Sequence, residues 1–185
     1  VELAREASDR ILRDARLAIA QRDRFNIVMA GGTTPIHTYQ HMARHDSEWS
    51  RWQVYFGDER CLPRDNLERN SYQVVNKFIN DVAIPDTHVH YMLAESGFDI
   101  AISDYEKKLR HVLPFDLVLL GMGEDGHTAS LFPGHEHDEK QEVVGVRNSP
   151  KPPSDRVSMN YPTLSNTRNM LILIEGEHKR PAVQA

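Results

Sequence analysis

The sequence holds one cysteine, Cys61, among 185 residues. A single thiol cannot build an intrachain disulfide framework or a cysteine-based zinc site. It suits a reducing compartment, and the cytoplasm is the expected location. No apolar run approaches the roughly 20 residues of a transmembrane helix. No secretory hydrophobic segment opens the chain, so no membrane partner is expected. Basic residues are also in short supply: 22 Lys and Arg stand against 27 Asp and Glu, for a formal net charge of −5. That balance disfavours a nucleic-acid binder that relies on a global basic field. A small anion held by a local cationic cluster remains compatible with it. Internal repeats, low-complexity tracts and domain linkers are absent as well, so one domain spanning residues 1–185 is expected.

What is present is an alternation of helical and strand patterns. Leu3, Ala4, Ala7, Ile11, Leu12, Ala15 and Ile19 fall on one face of a helix from Glu2 to Arg22. Phe25–Ala30 reads as a buried strand that ends on Gly31-Gly32, and Pro35 suits the first turn of a helix reaching about Arg44. Trp52–Phe56 is a second strand, followed by a polar, irregular stretch from Gly57 to Asn70. Helices are expected over Ser71–Ile79 and Phe98–His111, with a short strand at Val89–Met92. Phe115–Leu120 is the clearest buried strand, and Glu142–Val146, Arg156–Asn160 and Asn169–Ile174 are further strands. The pattern predicts an α/β fold, a doubly wound parallel sheet with helices on both faces. Ligands in such folds bind beyond the carboxyl ends of the strands. Three loops lie there: Gly31–Pro35, Gly57–Asn70 and Gly121–Pro133.

Gly31-Gly32-Thr33-Thr34-Pro35 joins a strand to a helix start, where free N–H groups and the positive dipole end suit a phosphate. The same string would also serve as an ordinary turn with Thr34 as N-cap. It is not a Walker A loop, because the lysine is missing. Asp58-Glu59-Arg60 puts two carboxylates and a guanidinium at a strand end, which are expensive to cover unless paired. They read either as a solvated turn or as acid–base and anion-stabilising groups. Gly121–Pro133 alternates glycines with acids and then places His127, a residue able to take a proton near neutral pH. Its Gly121, Gly123 and Gly126 match G-x-G-x-x-G, but no ribose-binding acid follows at the end of a next strand. Lys151–Arg156 and Gly176–Arg180 add cations near later strands. His135-Glu136-His137 lacks a third ligand, so no metal is expected; Ser130 lacks a nucleophile elbow, and Cys61 lacks a partner histidine motif.

Taken together these loops resemble the 6-phosphogluconolactonase family. The resemblance rests on Ala30–Pro35, Tyr55–Arg60 with Asn70-Ser71-Tyr72, Gly121–Pro133, and Lys151-Pro152-Pro153 with Arg156, in the family's order across nearly the whole chain. It implies the Rossmann-like fold shared with glucosamine-6-phosphate deaminase and ribose-5-phosphate isomerase. It implies hydrolysis of 6-phospho-D-glucono-1,5-lactone in the pentose phosphate pathway, with no metal and no organic cofactor. His127 would be the general base, Arg60 would stabilise developing charge, and Asp125 and Asp58 would hold the loops. Gly32, Thr33, Thr34, Arg156 and Lys179 would bind the substrate phosphate. The partner expected is this small phosphorylated lactone, with fusion to or association with a pentose phosphate dehydrogenase as a further option. A deaminase-like isomerase and a non-catalytic sugar-phosphate sensor are the alternatives. The related deaminases carry Asp-Glu-Tyr in place of Asp58-Glu59-Arg60, and an extra acid after the histidine that is absent here. Family members usually continue well past the Gly176–Lys179 segment, whereas this chain ends six residues after Lys179. A domain truncated at its C-terminus is therefore expected.

Overall fold

The computed structural model describes residues 2–184. The chain begins with α1 (Glu2–Arg22), whose Ile11, Leu12, Ala15 and Ile19 face inward as their spacing requires. β1 (Phe25–Met29), α2 (Thr33–Met42) and β2 (Trp52–Phe56) follow. Next come β3 (Asp58–Arg60), α3 (Asn70–Lys77), β4 (Val89–His90), α4 (Phe98–Leu109) and β5 (Leu117–Gly121). The last elements are β6 (Val143–Val146), β7 (Arg156–Met159), α5 (Tyr161–Ser165), β8 (Met170–Leu173) and α6 (Arg180–Gln184).

Five strands form a parallel sheet in the order β4-β2-β1-β5-β8. The strand period of two sorts its side chains between two cores. Phe25, Ile27 and Met29 of β1, with Trp52, Val54 and Phe56 of β2, pack against α1, α2 and α3. Val28, Tyr55, Val118 and Leu120 pack on the other face against α4 and α5. Ile27, Val28, Val118 and Leu119 are wholly buried, and each such aliphatic side chain contributes about 1.5–3 kcal/mol. Burial on both faces explains why these strands read as continuous apolar runs.

Two sequence expectations need correction. Gly57–Asn70 is not irregular throughout, because Asp58–Arg60 forms β3. Nor do Glu142–Val146 and Arg156–Asn160 extend the parallel sheet. β3, β7 and β6 make a separate antiparallel sheet in that order, with Arg60 opposite Arg156 and Val146 opposite Arg156. Val143, Val144, Val146, Val157 and Met159 of this small sheet join α4 in covering the second face. The covering layer there is thus part helix and part sheet.

The chain order explains where the site forms. From β1 the sheet grows through β2 to β4 in one direction, and through β5 to β8 in the other. The switch point lies between β1 and β5, where the loops leaving the strand ends diverge and leave a crevice.

Candidate active site

A cleft of about 470 Å³ opens at this switch point, a volume suited to a small metabolite. Gly32, Thr33 and Thr34 line it from the end of β1, and Asp58 and Arg60 from β3. His127 lines it from the loop after β5, with Arg156 and Lys179 from later in the chain. Asp125 is not part of the lining; it reaches the cleft through His127.

The turn after β1 is made for an anion by its backbone. Gly32 is the residue before α2 and adopts φ 98°, ψ 163°, a conformation that favours glycine. Thr34 is therefore not the N-cap; the helix already begins at Thr33. Thr33 and Thr34 are first-turn residues, so their N–H groups have no intrahelical acceptor, and Pro35 has no N–H to satisfy. A Cβ at Gly31 would collide with the Asn70 carboxamide, so this position too is tied to glycine. The Thr34 hydroxyl donates to Glu175 Oε2 at 3.4 Å.

The two acids of β3 are covered, and each is paired. Asp58 accepts from Asn70 Nδ2 at 2.8 Å and from Ser130 Oγ at 2.5 Å. Glu59 accepts the backbone N–H groups of Asn70 and Ser71 at 2.8 and 2.9 Å, capping α3 from a distant strand. Its Oε2 also lies 3.3 Å from Nε of Arg69, and both residues are 1 % exposed. Arg69 bonds Glu95 and the Met92 carbonyl besides, so the buried charges are compensated. Arg60 follows on the rim, and its Nη1 donates to the Glu68 carbonyl.

In the loop after β5, Nδ1 of His127 lies 2.5 Å from Asp125 Oδ1. A carboxylate there holds the proton on Nδ1 and leaves the Nε2 lone pair available. The imidazole rests on the Phe132 ring, with centroids 4.5 Å apart. Burial raises the Asp125 pKa, but hydrogen bonds from the His127 ring and backbone, and the His127 charge, outweigh it and hold the carboxyl below its ordinary value. Past the histidine the chain turns sharply. Thr128 and Leu131 bond each other's backbone, and Ala129 takes φ 50°, a strained value for a residue with a Cβ. That turn delivers Ser130 to Asp58. Ser130, unsuited as a nucleophile by its sequence, thus links the histidine loop to β3.

Arg156 is 3 % exposed, and much of its donor set is committed. Nε donates to the Pro153 carbonyl, and Nη2 to the carbonyls of Lys151 and Pro152, at 3.0–3.1 Å. Nη1 is the nitrogen left for a ligand. Burial and the nearby Arg60 charge pull the Arg156 pKa below the usual guanidinium value, while Asp58 and Asp125 oppose them. Two like charges in one cleft favour an anion between them. Lys179 stands in the short 3₁₀ turn Glu177–Lys179 after Gly176.

Three contributors are not marked as site residues by the sequence: Asn70, Ser130 and Glu175. Asn70 lines the cleft, is 2 % exposed and bonds Asp58. Asn70 enters the sequence reading only within the Asn70-Ser71-Tyr72 string, and Ser130 and Glu175 depend on partners 72 and 141 residues away. No group of three or more His, Cys, Asp or Glu side chains suited to a metal occurs among the described residues. Burial and nearby carboxylates push the Cys61 thiol up to about 11, the wrong direction for a nucleophile. No described helix is long and apolar enough to cross a membrane.

Comparison with known proteins adds to this geometry. The family model "Glucosamine-6-phosphate isomerases/6-phosphogluconolactonase" matches residues 1–185. The chain is 33 % identical to "6-phosphogluconolactonase 3, chloroplastic" of Arabidopsis thaliana, over 89 % of this chain and 57 % of the relative. It is 35 % identical to the 6-phosphogluconolactonase of Mycobacterium tuberculosis (strain ATCC 25618 / H37Rv), over 99 % of this chain and 81 % of the relative. The crystal structure of 6-phosphogluconolactonase from Thermotoga maritima superposes with a TM-score of 0.93 at 28 % identity, covering all of this chain and 85 % of that one. The chain thus spans little more than half of the plant relative and about four-fifths of the bacterial one.

Proposed function

We propose, from the premise that this chain belongs to the glucosamine-6-phosphate isomerase/6-phosphogluconolactonase family, that it hydrolyses 6-phospho-D-glucono-1,5-lactone to 6-phosphogluconate. One observation carries the reading. A histidine held at Nδ1 by a carboxylate lines the same cleft as an anion-suited helix start and a guanidinium.

A δ-lactone is an activated ester and needs no covalent nucleophile. Water attacks C1 while His127 Nε2 takes a proton from it, help worth about 10²–10⁴-fold. The carbonyl electron pair moves onto oxygen, where Arg60 stabilises the developing charge. The tetrahedral intermediate collapses with cleavage of the C1–O5 bond. His127 returns its proton to the leaving O5, and the new carboxylic acid loses a proton to solvent. Asp125 keeps the imidazole in the productive tautomer, and Asp58 fixes β3 against the Ser130 turn. The phosphate binds the N–H groups of Gly32, Thr33 and Thr34, with Lys179 and the Nη1 group of Arg156 adding charge. Binding so far from C1 fixes the reacting geometry. These groups suffice for the chemistry, which requires no metal or organic cofactor.

The compartment in this reading is the cytoplasm, the reducing setting that a single cysteine suits. Association with a dehydrogenase that forms the lactone by oxidising a cyclic sugar phosphate belongs to the same reading. The direct test is turnover of 6-phosphogluconolactone, corrected for spontaneous hydrolysis, with glucosamine 6-phosphate as the control substrate. Lactone hydrolysis well above the blank, with no ammonia released from the control, is expected. The reverse result would make the chain a deaminase.

A further inference from the structure

We propose that Glu175 is a specificity-determining gate whose carboxylate competes with the substrate phosphate for Thr34 and yields by turning into a neighbouring cavity. The inference rests on the phosphate placement in the lactonase reading, and it goes beyond it by assigning an acid to an anion site.

Glu175 lies just past the end of β8 and lines the cleft alongside Thr34. Its Oε2 takes the Thr34 hydroxyl at 3.4 Å. An acidic group at a helix N-terminus is favourable, so the carboxylate satisfies the same electrostatic demand as a phosphate. The carboxylate takes the Thr34 hydroxyl and the phosphate takes the N–H groups beside it, so the two anions crowd one helix start. Two anions sharing one helix start repel.

The structure also provides somewhere for the displaced carboxylate to go. A second cavity, of about 260 Å³, borders the first and is also lined by Thr34 and Glu175. Its other walls include His37, His41 and Arg44 from α2 and the turn after it. Among the described residues the Arg44 guanidinium makes no ion pair and no side-chain hydrogen bond. Glu175 is exposed and lines both cavities, so rotation of its side chain would carry the carboxylate from one to the other. The first position sets Glu175 against Thr34, and the second sets it beside Arg44. The work of moving it is a fixed handicap on phosphate binding, and Arg44 reduces that handicap.

The Glu175→Gln variant tests competition, and Arg44→Ala tests the destination. Both positions are exposed, and such substitutions rarely disturb folding. In Glu175→Gln, KM for 6-phosphogluconolactone is expected to fall about two- to fivefold, while KM for unphosphorylated gluconolactone stays unchanged. Arg44→Ala in the wild-type background is expected to raise KM for the phosphorylated lactone, and to have no effect once Glu175 is Gln. An unchanged or higher KM in Glu175→Gln overturns the competition. Additive effects of the two substitutions overturn the gate. Calorimetric titration with inorganic phosphate reads the same competition without catalysis, and tighter binding by Glu175→Gln is the expected result. A chain that binds phosphate in this pattern but hydrolyses no lactone would sink the lactonase reading and leave the gate standing.

Discussion

At the end of β1 the cleft offers backbone: a glycine at positive φ, two free N–H groups and the start of α2. At β3 and after β5 it offers side chains, each held by another. Asp125 holds His127, and Ser130 and Asn70 hold Asp58; next to Asp58, Glu59 stays outside the lining and is held by Arg69. The first region draws on the partial charge of a helix and needs few distant partners. The second keeps the carboxylates of Asp58 and Glu59 out of water, which is stable only because each has partners. A region made of local backbone therefore tolerates change at its neighbours, whereas a region of cross-linked side chains fails as a unit.

The largest effect expected from this contrast is on the side-chain region. His127→Ala should lower kcat for the phosphorylated lactone by about 10²–10⁴-fold with little change in KM. Circular dichroism should show the fold intact, because the ring sits on the cleft rather than in either core. Near-normal kcat would remove His127 as the base.

A smaller, differently shaped effect is expected from the cations proposed to share the phosphate with the backbone region. Lys179→Ala should raise KM for 6-phosphogluconolactone by about tenfold, in line with one charge-assisted bond, and should leave KM for unphosphorylated gluconolactone alone. Arg156→Ala should show the same split, together with a lower melting temperature, because its guanidinium also ties down three carbonyls of the Lys151–Pro153 segment. Equal effects on the two lactones would take either cation out of the phosphate site.

The smallest effect separates acid loss of the fold from acid loss of the cleft chemistry. His90 stacks on Tyr55 with Nε2 2.8 Å from Gln53 Oε1, away from the cleft. Burial, with Lys108 and His88 nearby, lowers its pKa from 6.5 to about 4. The unfolded chain therefore binds more protons than the folded one between these values. Stability should rise with pH through that window and be lost as pH falls through it. Urea denaturation at pH 7 and pH 5 should show this difference, and His90→Gln should shrink it. A pH dependence unchanged by that substitution would clear His90 of the role.

Much of this molecule is legible in its amino-acid sequence. The helix from Glu2 to Arg22, the strand at Trp52–Phe56 and the Phe98 helix follow from periodicity, and the structure has all three. The loops after β1 and β5 are identifiable as glycine-rich segments following apolar runs. Arg60, Asp58 and His127 can be named because unusual polar residues stand at strand ends. Other features are not legible. β3 reads as a solvated turn because Asp-Glu-Arg is a poor strand sequence. It is a strand because β7, about a hundred residues later, pairs with it and because Asn70, Ser130 and Arg69 compensate its acids. The antiparallel partnership of β6 and β7 is hidden for a related reason. Strand patterns report which residues are buried, and say nothing of which strand lies alongside.

By itself the sequence determined most of the element order, β3 and α5 excepted, the two-faced burial of the central strands and the family to which the chain belongs. These depend on local periodicity and on short motifs, both written within a few residues of one another. Tertiary structure decided which side chains of loops separated by up to about 150 residues line the one cleft the sequence placed at the strand ends. It decided that Arg156 commits most of its donors to carbonyls, and that Glu175 stands between two cavities. The physical reason is that hydrogen bonds and charge pairs are set by distance in space, and chain folding brings together groups whose sequence separation carries no trace of the contact.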